Sequence, residues 1–314
     1  MKRKFYPGQT ENPYEGKVRI VSTVVNILVA ETTNNVSAFD VVLPRQVPFK
    51  GAVLNLIAAH FMEATRDIIP NCLLCVPHPR VALWRKTQPF KFEVIVRGFN
   101  NVKSSFYRNY FAQKKMNPWG YLLSSEMKDN HPFPFLLITP TTKADMGHDE
   151  DISSEEIIRQ GLATKLEWDY IEKTAEALFK RGQEMANKHG LILVDTKYEF
   201  GKDENGIIYL IDEIHTPDSS RYWYLSTYDD CLKNGTEPKA LSKEFLRQWL
   251  IDQGFQGRDG DIMPEFSDEL IESVSDRYIE LYMAMGLDFT DLPIIDDQSD
   301  MYERVCLALE RQLK

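Results

Sequence analysis

Short runs of β-branched and aromatic residues, separated by turn residues, fill the first ~90 positions and read as strands at 18–22, 26–32 and 39–43. The pattern then changes. Val53, Leu54, Ile57, Ala58 and Phe61 recur at i, i+3, i+4 spacing, which predicts an amphipathic helix over 52–68, closed by Pro70. The run KFEVIVRGF, residues 91–99, is strand-like again, and the polar, proline-containing stretch that follows to about residue 140 reads as loop. Ser153 with Glu156 fits a capping box, and Trp168, Ile171, Ala175, Leu178, Phe179 and Met185 mark a long amphipathic helix ending at Gly190. Strands at 191–200 and 207–215 follow, and the last third is helical at 242–252, 267–285 and 300–312. The expected fold class is α+β, with a strand-rich N-terminal lobe over 1–88 and a larger α+β lobe over 89–314 whose end, from about 262, is helical.

A chain of 314 residues exceeds what one hydrophobic core usually serves, so two lobes with a ligand cleft between them are expected. The formal net charge of −10 argues against a nucleic-acid surface, although a local cluster of Arg and Lys suffices for a small phosphorylated ligand. No apolar run reaches membrane-span length and the start MKRKFYPGQT has no apolar stretch of a signal peptide, so a cytoplasmic protein without a membrane partner is expected. Four cysteines make no disulfide framework, and Cys72-Leu-Leu-Cys75 reads as a buried strand rather than a metal or redox site. Neither a P-loop, a Rossmann fingerprint nor a nucleophile elbow occurs.

The chemistry concentrates in GLILVDTKYEFGKDENGIIYLIDEIH. Asn205-Gly206 is a strong hairpin signal, and a two-residue loop there sets Glu199 opposite Asp212. Facing carboxylates repel across a ladder, and a divalent cation would relieve them; oxygen donors alone suit magnesium. On that account, removing either charge should leave the metal-free hairpin intact or more stable. Asp195, Lys197 and Glu199 share one strand face, while Val194, Thr196, Tyr198 and Phe200 share the other, so one face packs and one carries charges. The same pattern also fits a solvated sheet face laced by salt bridges. The loop His215-Thr-Pro-Asp218-Ser219-Ser220-Arg221 places hydroxyls beside a guanidinium, a combination suited to phosphate. Residues 139–150, TPTTKADMGHDE, form a further loop of mixed charge.

Taken in order, SAFDVVLP, EVIVRG, TPTTKADMGHDE, LVDTKYEFG and DEIHTPDSSRYW resemble the SAICAR synthetase family, across roughly residues 14–250. The resemblance implies a two-lobed fold with a kinase-like N-terminal sheet and ATP bound between the lobes. It also implies an ATP-dependent ligase that condenses carboxyaminoimidazole ribonucleotide (CAIR) with L-aspartate through an acyl phosphate. By motif position, Glu199 and Asp212 resemble magnesium ligands, and Lys17, Val18, Arg19 and Lys143, with those two carboxylates, residues that line ATP. Ser37, Asp40, Arg97, Ser104, Asp195, Lys197, Asp218, Ser219, Arg221 and Arg247 resemble the ribonucleotide set, and Lys197, Asp195 and Lys143 the catalytic residues. Departures from the family pattern include Ile20 after GKVR, Asn34-Asn35 before SAFD, and Lys103-Ser104-Ser105 where Gly-Ser-Gly often follows the VRG strand. A kinase or another acid–amine ligase sharing the nucleotide cleft is the rival enzyme reading, and a nucleotide-binding scaffold without turnover is the rival outside enzymes.

Overall fold

The computed structural model describes residues 4–112, 117–124, 126–143, 149–241, 243–293 and 297–314. Its first sheet is antiparallel and runs in the order β1 (Tyr14–Glu15), β2 (Arg19–Val24), β3 (Ile27–Thr32), β7 (Val81–Arg85), β6 (Leu73–His78). A separate hairpin, β4 (Asn35–Ala38) and β5 (Val41–Gln46), precedes α1 (Lys50–Ala64). Alternation decides how the sheet is covered. Ala30, Ala82 and Trp84 belong to the main core with Val53, Ile57 and Phe61 of α1, whereas Val24, Val29, Val81 and Leu83 belong to a second cluster. That second cluster is closed by Met301, Val305 and Leu309, spaced at i, i+4, i+8 on α7 (Gln298–Gln312), so the last helix of the chain covers the far face of the first sheet.

The second sheet is built on β12 (Leu191–Lys202) and runs β10 (Pro132–Ile138), β9 (Phe92–Phe99), β12, β13 (Ile208–Ile211). Two short strands, β8 (Gln88–Pro89) and β11 (Thr141–Thr142), pair with β12 and β9, and β14 (Ser220–Tyr224) pairs with the first half of β12. β13 and β14 thus lie successively along one edge of β12, and residues 212–219 leave that edge between them. After α2 (Ser154–Arg159), α3 (Lys165–Lys188) starts at a Thr164–Glu167 capping box and packs across β9 and β12, with Trp168, Ile171, Leu178 and Phe179 buried. Helices α4 (Leu225–Asn234), α5 (Glu244–Asp252) and α6 (Asp268–Ala284) follow. One continuous core runs from the inner face of the first sheet and α1 through β9, β12 and α3 to α6. No helix among the described residues is long and apolar enough to cross a membrane.

Four expectations need correction. The stretch read as loop before residue 140 contains β10, whose PFPFLLI composition hides it; proline is tolerated because β10 is an edge strand with an irregular register. Residues 39–43 are not one strand, because Phe39 and Asp40 are the two positive-φ residues of the β4–β5 turn, a conformation that Asn-Gly usually supplies. The hairpin strand ends at Ile211 rather than 215, and its register sets Glu199 opposite Ile211, not Asp212. The cause is a loop longer than two residues: the Asp203 amide donates to the Ile207 carbonyl, and the Asp203 carboxylate accepts from the Asn205 and Ile207 amides. Finally, β14 and α4 fill a stretch for which the pattern predicted no element.

Since Leu309 is 2% exposed beneath the first sheet, Leu309→Ala should cost about 2 to 5 kcal/mol, read as a lowered urea midpoint. An unchanged midpoint would mean that α7 contributes nothing to folding.

Candidate active site

The two sheets meet through charge. Arg19, on β2, donates from Nη1 to Asp212 and from Nη2 to Glu213 at 3.3 Å, and its guanidinium lies 5.2 Å from the Trp84 ring centroid. Asp212 stands just past the end of β13 with φ 65°, which turns its carboxylate toward the charged face of β12. There Lys197 Nζ donates to Glu199 at 2.5 Å and to Glu93 at 3.0 Å, and lies 3.9 Å from Asp212. Lys143 donates to the other oxygen of Glu199. Glu199 and Asp212 therefore reach the same place without being opposed on the ladder.

Protein cations already hold both carboxylates, which corrects the expectation that an unrelieved pair faces itself in the hairpin. Nor is the face solvated: Asp195 and Glu199 are buried, as are Val194, Thr196, Tyr198 and Phe200 on its reverse. Burial works against the Glu199 charge, but Lys197 and Lys143 outweigh it and hold the carboxyl well below its usual range. For Asp212, burial prevails: with Glu199 and Glu213 nearby, its carboxyl is pushed up despite Arg19. Glu93 is pushed up by burial and by Glu199, against Lys197. Four carboxylates (Glu93, Glu199, Asp212, Glu213) thus meet three cations (Arg19, Lys143, Lys197). Among the described residues no cluster of three or more His, Cys, Asp or Glu is arranged to cage a metal; Glu199 and Asp212 offer oxygen donors only, which fits a hard cation that takes its remaining ligands from phosphate and water.

Beside this cluster opens a cavity of about 370 Å³. Ser37, Asp40, Arg97, Asp195, Lys197, Asp218, Ser219, Arg221 and Arg247 all line it, so of the ribonucleotide set only Ser104 is absent. Ser104 is buried and its hydroxyl accepts from the Tyr107 amide; its neighbour Ser105 lines the cavity instead. Lys197 belongs to both regions and joins them. Arg221 bridges Asp195 at 2.8 Å and Glu244 at 3.1 Å, and Arg97 donates to Thr139 at 2.9 Å with Asp195 3.8 Å away. Arg247 lies over the Phe39 ring at 5.1 Å and has no carboxylate within ion-pair distance among the described residues. At the rim Lys17 pairs with Asp40 at 2.6 Å, while the Val18 carbonyl accepts from the Thr33 amide. Residues 144–148 of the mixed-charge loop lie outside the described residues.

The pattern did not single out Lys50, Lys243 or Tyr278. Lys50, fully buried at the start of α1, pairs with Asp218 at 2.9 Å; the Tyr278 hydroxyl of α6 donates to the same carboxylate at 2.5 Å, and Lys243 is 3.8 Å away. Lys50 precedes the helix expected over 52–68, so no pattern pointed to it; because α1 starts at Lys50 and buries it, its ammonium requires a partner.

Fold and site together define a two-sheet α+β enzyme with a basic cavity beside a carboxylate–lysine cluster. The family pattern described as SAICAR synthetase matches residues 12–260. The phosphoribosylaminoimidazole-succinocarboxamide synthase of Cytophaga hutchinsonii is 52% identical over 88% of this chain and 87% of its own length; that of Bacteroides thetaiotaomicron is 49% identical over 96% and 94%. Among solved structures, a SAICAR synthase superposes with a TM-score of 0.74 at 26% identity, covering 88% of this chain and 95% of its own. The SAICAR synthase of Saccharomyces cerevisiae, solved in complex with SAICAR, gives 0.72 at 28% identity, over 87% and 93%. The chain belongs to the SAICAR synthetase family.

Burial opposes the Asp218 charge, but Lys243, Lys50 and the Tyr278 hydroxyl hold its carboxyl below the usual range. A lowered folded-state value stabilises above the unfolded value, near 4, and that contribution is lost as pH falls below it. Asp218→Asn should therefore cost about 3 to 5 kcal/mol at pH 7, by leaving Lys50 buried and uncompensated, with the gap from wild type narrowing below about pH 4. Urea unfolding at both pH values checks this; a gap independent of pH would mean that the pair carries no charge.

Proposed function

We propose that the chain condenses CAIR with L-aspartate at the expense of ATP, giving SAICAR, ADP and phosphate. The observation that carries this reading is the placement of Lys197, which lines the basic cavity and at the same time holds Glu199 in the charged cluster. One group thus touches both a phosphate-binding cavity and the place where a nucleotide would deliver its phosphoryl group. A relative 28% identical was solved with SAICAR bound, which supports SAICAR as the product of this chain.

A carboxylate is a poor electrophile until one of its oxygens becomes a good leaving group. In this reading the CAIR carboxylate oxygen attacks the γ-phosphorus of ATP and ADP departs. The aspartate amine then attacks the acyl carbon, the C–O bond to phosphate breaks, and phosphate leaves with that oxygen. Lys143 and Lys197 neutralise the transferring phosphoryl group, and Asp195 orients Arg221 and Arg97 toward the ribonucleotide. Ser37, Asp40, Ser105, Ser219 and Arg247 complete the ribonucleotide cavity, and Lys17, Val18 and Arg19 border ATP against the first sheet. Magnesium would be held by Glu199 and Asp212 and would supply charge neutralisation at the ATP phosphates. In this reading ATP lies between the two sheets, that is between the lobes expected over 1–88 and 89–314, with α7 of the second packed on the first. The reading puts the reaction in the cytoplasm with small-molecule partners only, the acidic net charge speaking against nucleic acid.

Heavy oxygen in the CAIR carboxylate should be recovered in the released phosphate; phosphate free of label excludes the acyl phosphate. Arg247→Ala should raise the KM for CAIR roughly 10- to 150-fold, the equivalent of about 1.5 to 3 kcal/mol for a lost charged partner, with only a small fall in melting temperature because the contact with the Phe39 ring is lost but no ion pair is broken. An unaltered KM would remove Arg247 from the ribonucleotide site.

A further inference from the structure

The excursion 212–219 turns on two non-glycine residues in the left-handed region, Asp212 at φ 65° and His215 at φ 57°. Such conformations persist only where the surroundings enforce them. The two side chains go to opposite faces of the second sheet. Asp212 joins the charged cluster, while the His215 ring is fully buried on the apolar face. Nε2 shares a 2.6 Å hydrogen bond with the hydroxyl of Tyr198 on β12, the Phe61 ring of α1 stands edge-on at 4.7 Å, and the Tyr222 hydroxyl of β14 donates to the His215 carbonyl at 2.7 Å.

The fourth wall is α3 at Gly182. A Cβ there would lie 2.3 Å from His215 Cε1, so the helix leaves a slot one methyl deep for the ring. Glycine inside a helix is normally a loss relative to alanine, and here the imidazole is the reason for it. The next residue, Thr216, winds the rest of the loop: its hydroxyl donates to Glu213 at 2.7 Å, and its carbonyl accepts from the Ser219 and Ser220 amides at 3.2 and 2.9 Å. A displacement of His215 is therefore passed directly to Glu213 and Ser219. Burial lowers the imidazole pKa to about 3, so the ring stays neutral and serves as a fixed wedge rather than a proton carrier.

We propose that His215, seated in the slot at Gly182, is a positioning residue that sets the loop presenting Asp212, Asp218 and Ser219 to the substrates. This rests on the assignment of Asp212 and Ser219 to ligand binding given above; Asp218 lines the same cavity while paired with Lys50. The test uses the full chain in a steady-state assay with ATP, CAIR and aspartate, and circular dichroism to confirm folding at the assay temperature. Gly182→Ala, which helix propensity alone would make at least as stable as wild type, is expected to lower kcat and raise the KM for CAIR, with kcat/KM down about tenfold or more. Combined with His215→Ala, which empties the slot, it should add no further loss. His215→Gln, able to keep the bond to Tyr198, should retain more activity than His215→Leu. Wild-type constants in Gly182→Ala, additive losses in the double variant, or lowered melting temperatures with unchanged constants in folded His215→Leu would overturn the proposal. Asp212→Asn separates the two levels. If it abolishes turnover while the His215 variants keep wild-type constants, the positioning role alone fails; if it leaves turnover intact, the ligand assignment falls and the positioning role with it.

Discussion

Charge buried where two sheets meet has to be balanced in place, because neither sheet can turn its carboxylates to water without opening the seam. In this protein Arg19 comes from the first sheet and Asp212 and Glu213 from the second, while Lys197 and Lys143 hold Glu199 from two sides. A pair of this kind contributes less to stability than its Coulomb energy implies, since desolvation takes back most of the gain. Its value is geometric: it fixes which residues of the two sheets face one another, and the cavity lies beside that contact.

The rest of the molecule can be understood as what keeps the seam in register. α1 and α3 fill the space behind it with one continuous apolar core, so the reverse of each charged strand is tightly packed. Lys50, Asp218 and Tyr278 extend the same device to the helices, tying the start of α1 and the middle of α6 to the loop that carries Ser219. Strained backbone is found in the same region, at Phe39, Asp40, Asp212 and His215. Each of these residues lines the cavity, joins the charged cluster, or supports the loop between them.

Much of this was legible in the sequence. The helical periodicity that predicts 52–68 (observed as Lys50–Ala64) and that of Trp168 to Met185, the capping residue Ser153, and the two-faced alternation of 194–200 are local facts, and local geometry follows from them because the periods of helix and strand are fixed by the backbone. Motif order identified the family, and nine of the ten residues it assigned to the ribonucleotide line the cavity. Where local signals competed, the reading slipped. Two prolines conceal an edge strand at Pro132–Ile138, and Asn205-Gly206 signals a two-residue turn where the Asp203 carboxylate closes a longer one.

What the sequence determined by itself was therefore the kind of elements present, the family, and the list of chemically competent residues. Tertiary structure decided how those residues are used. Glu199 and Asp212 meet not because they oppose each other on a ladder but because Asp212 leaves the strand in a left-handed turn and Arg19 arrives from the other sheet. Lys50 became the buried partner of Asp218, and Gly182 became a slot for His215, through contacts between segments far apart in the chain. No local period encodes such pairings, because they depend on how packed elements are brought together, and a one-residue shift in register is enough to redirect a side chain to the opposite face.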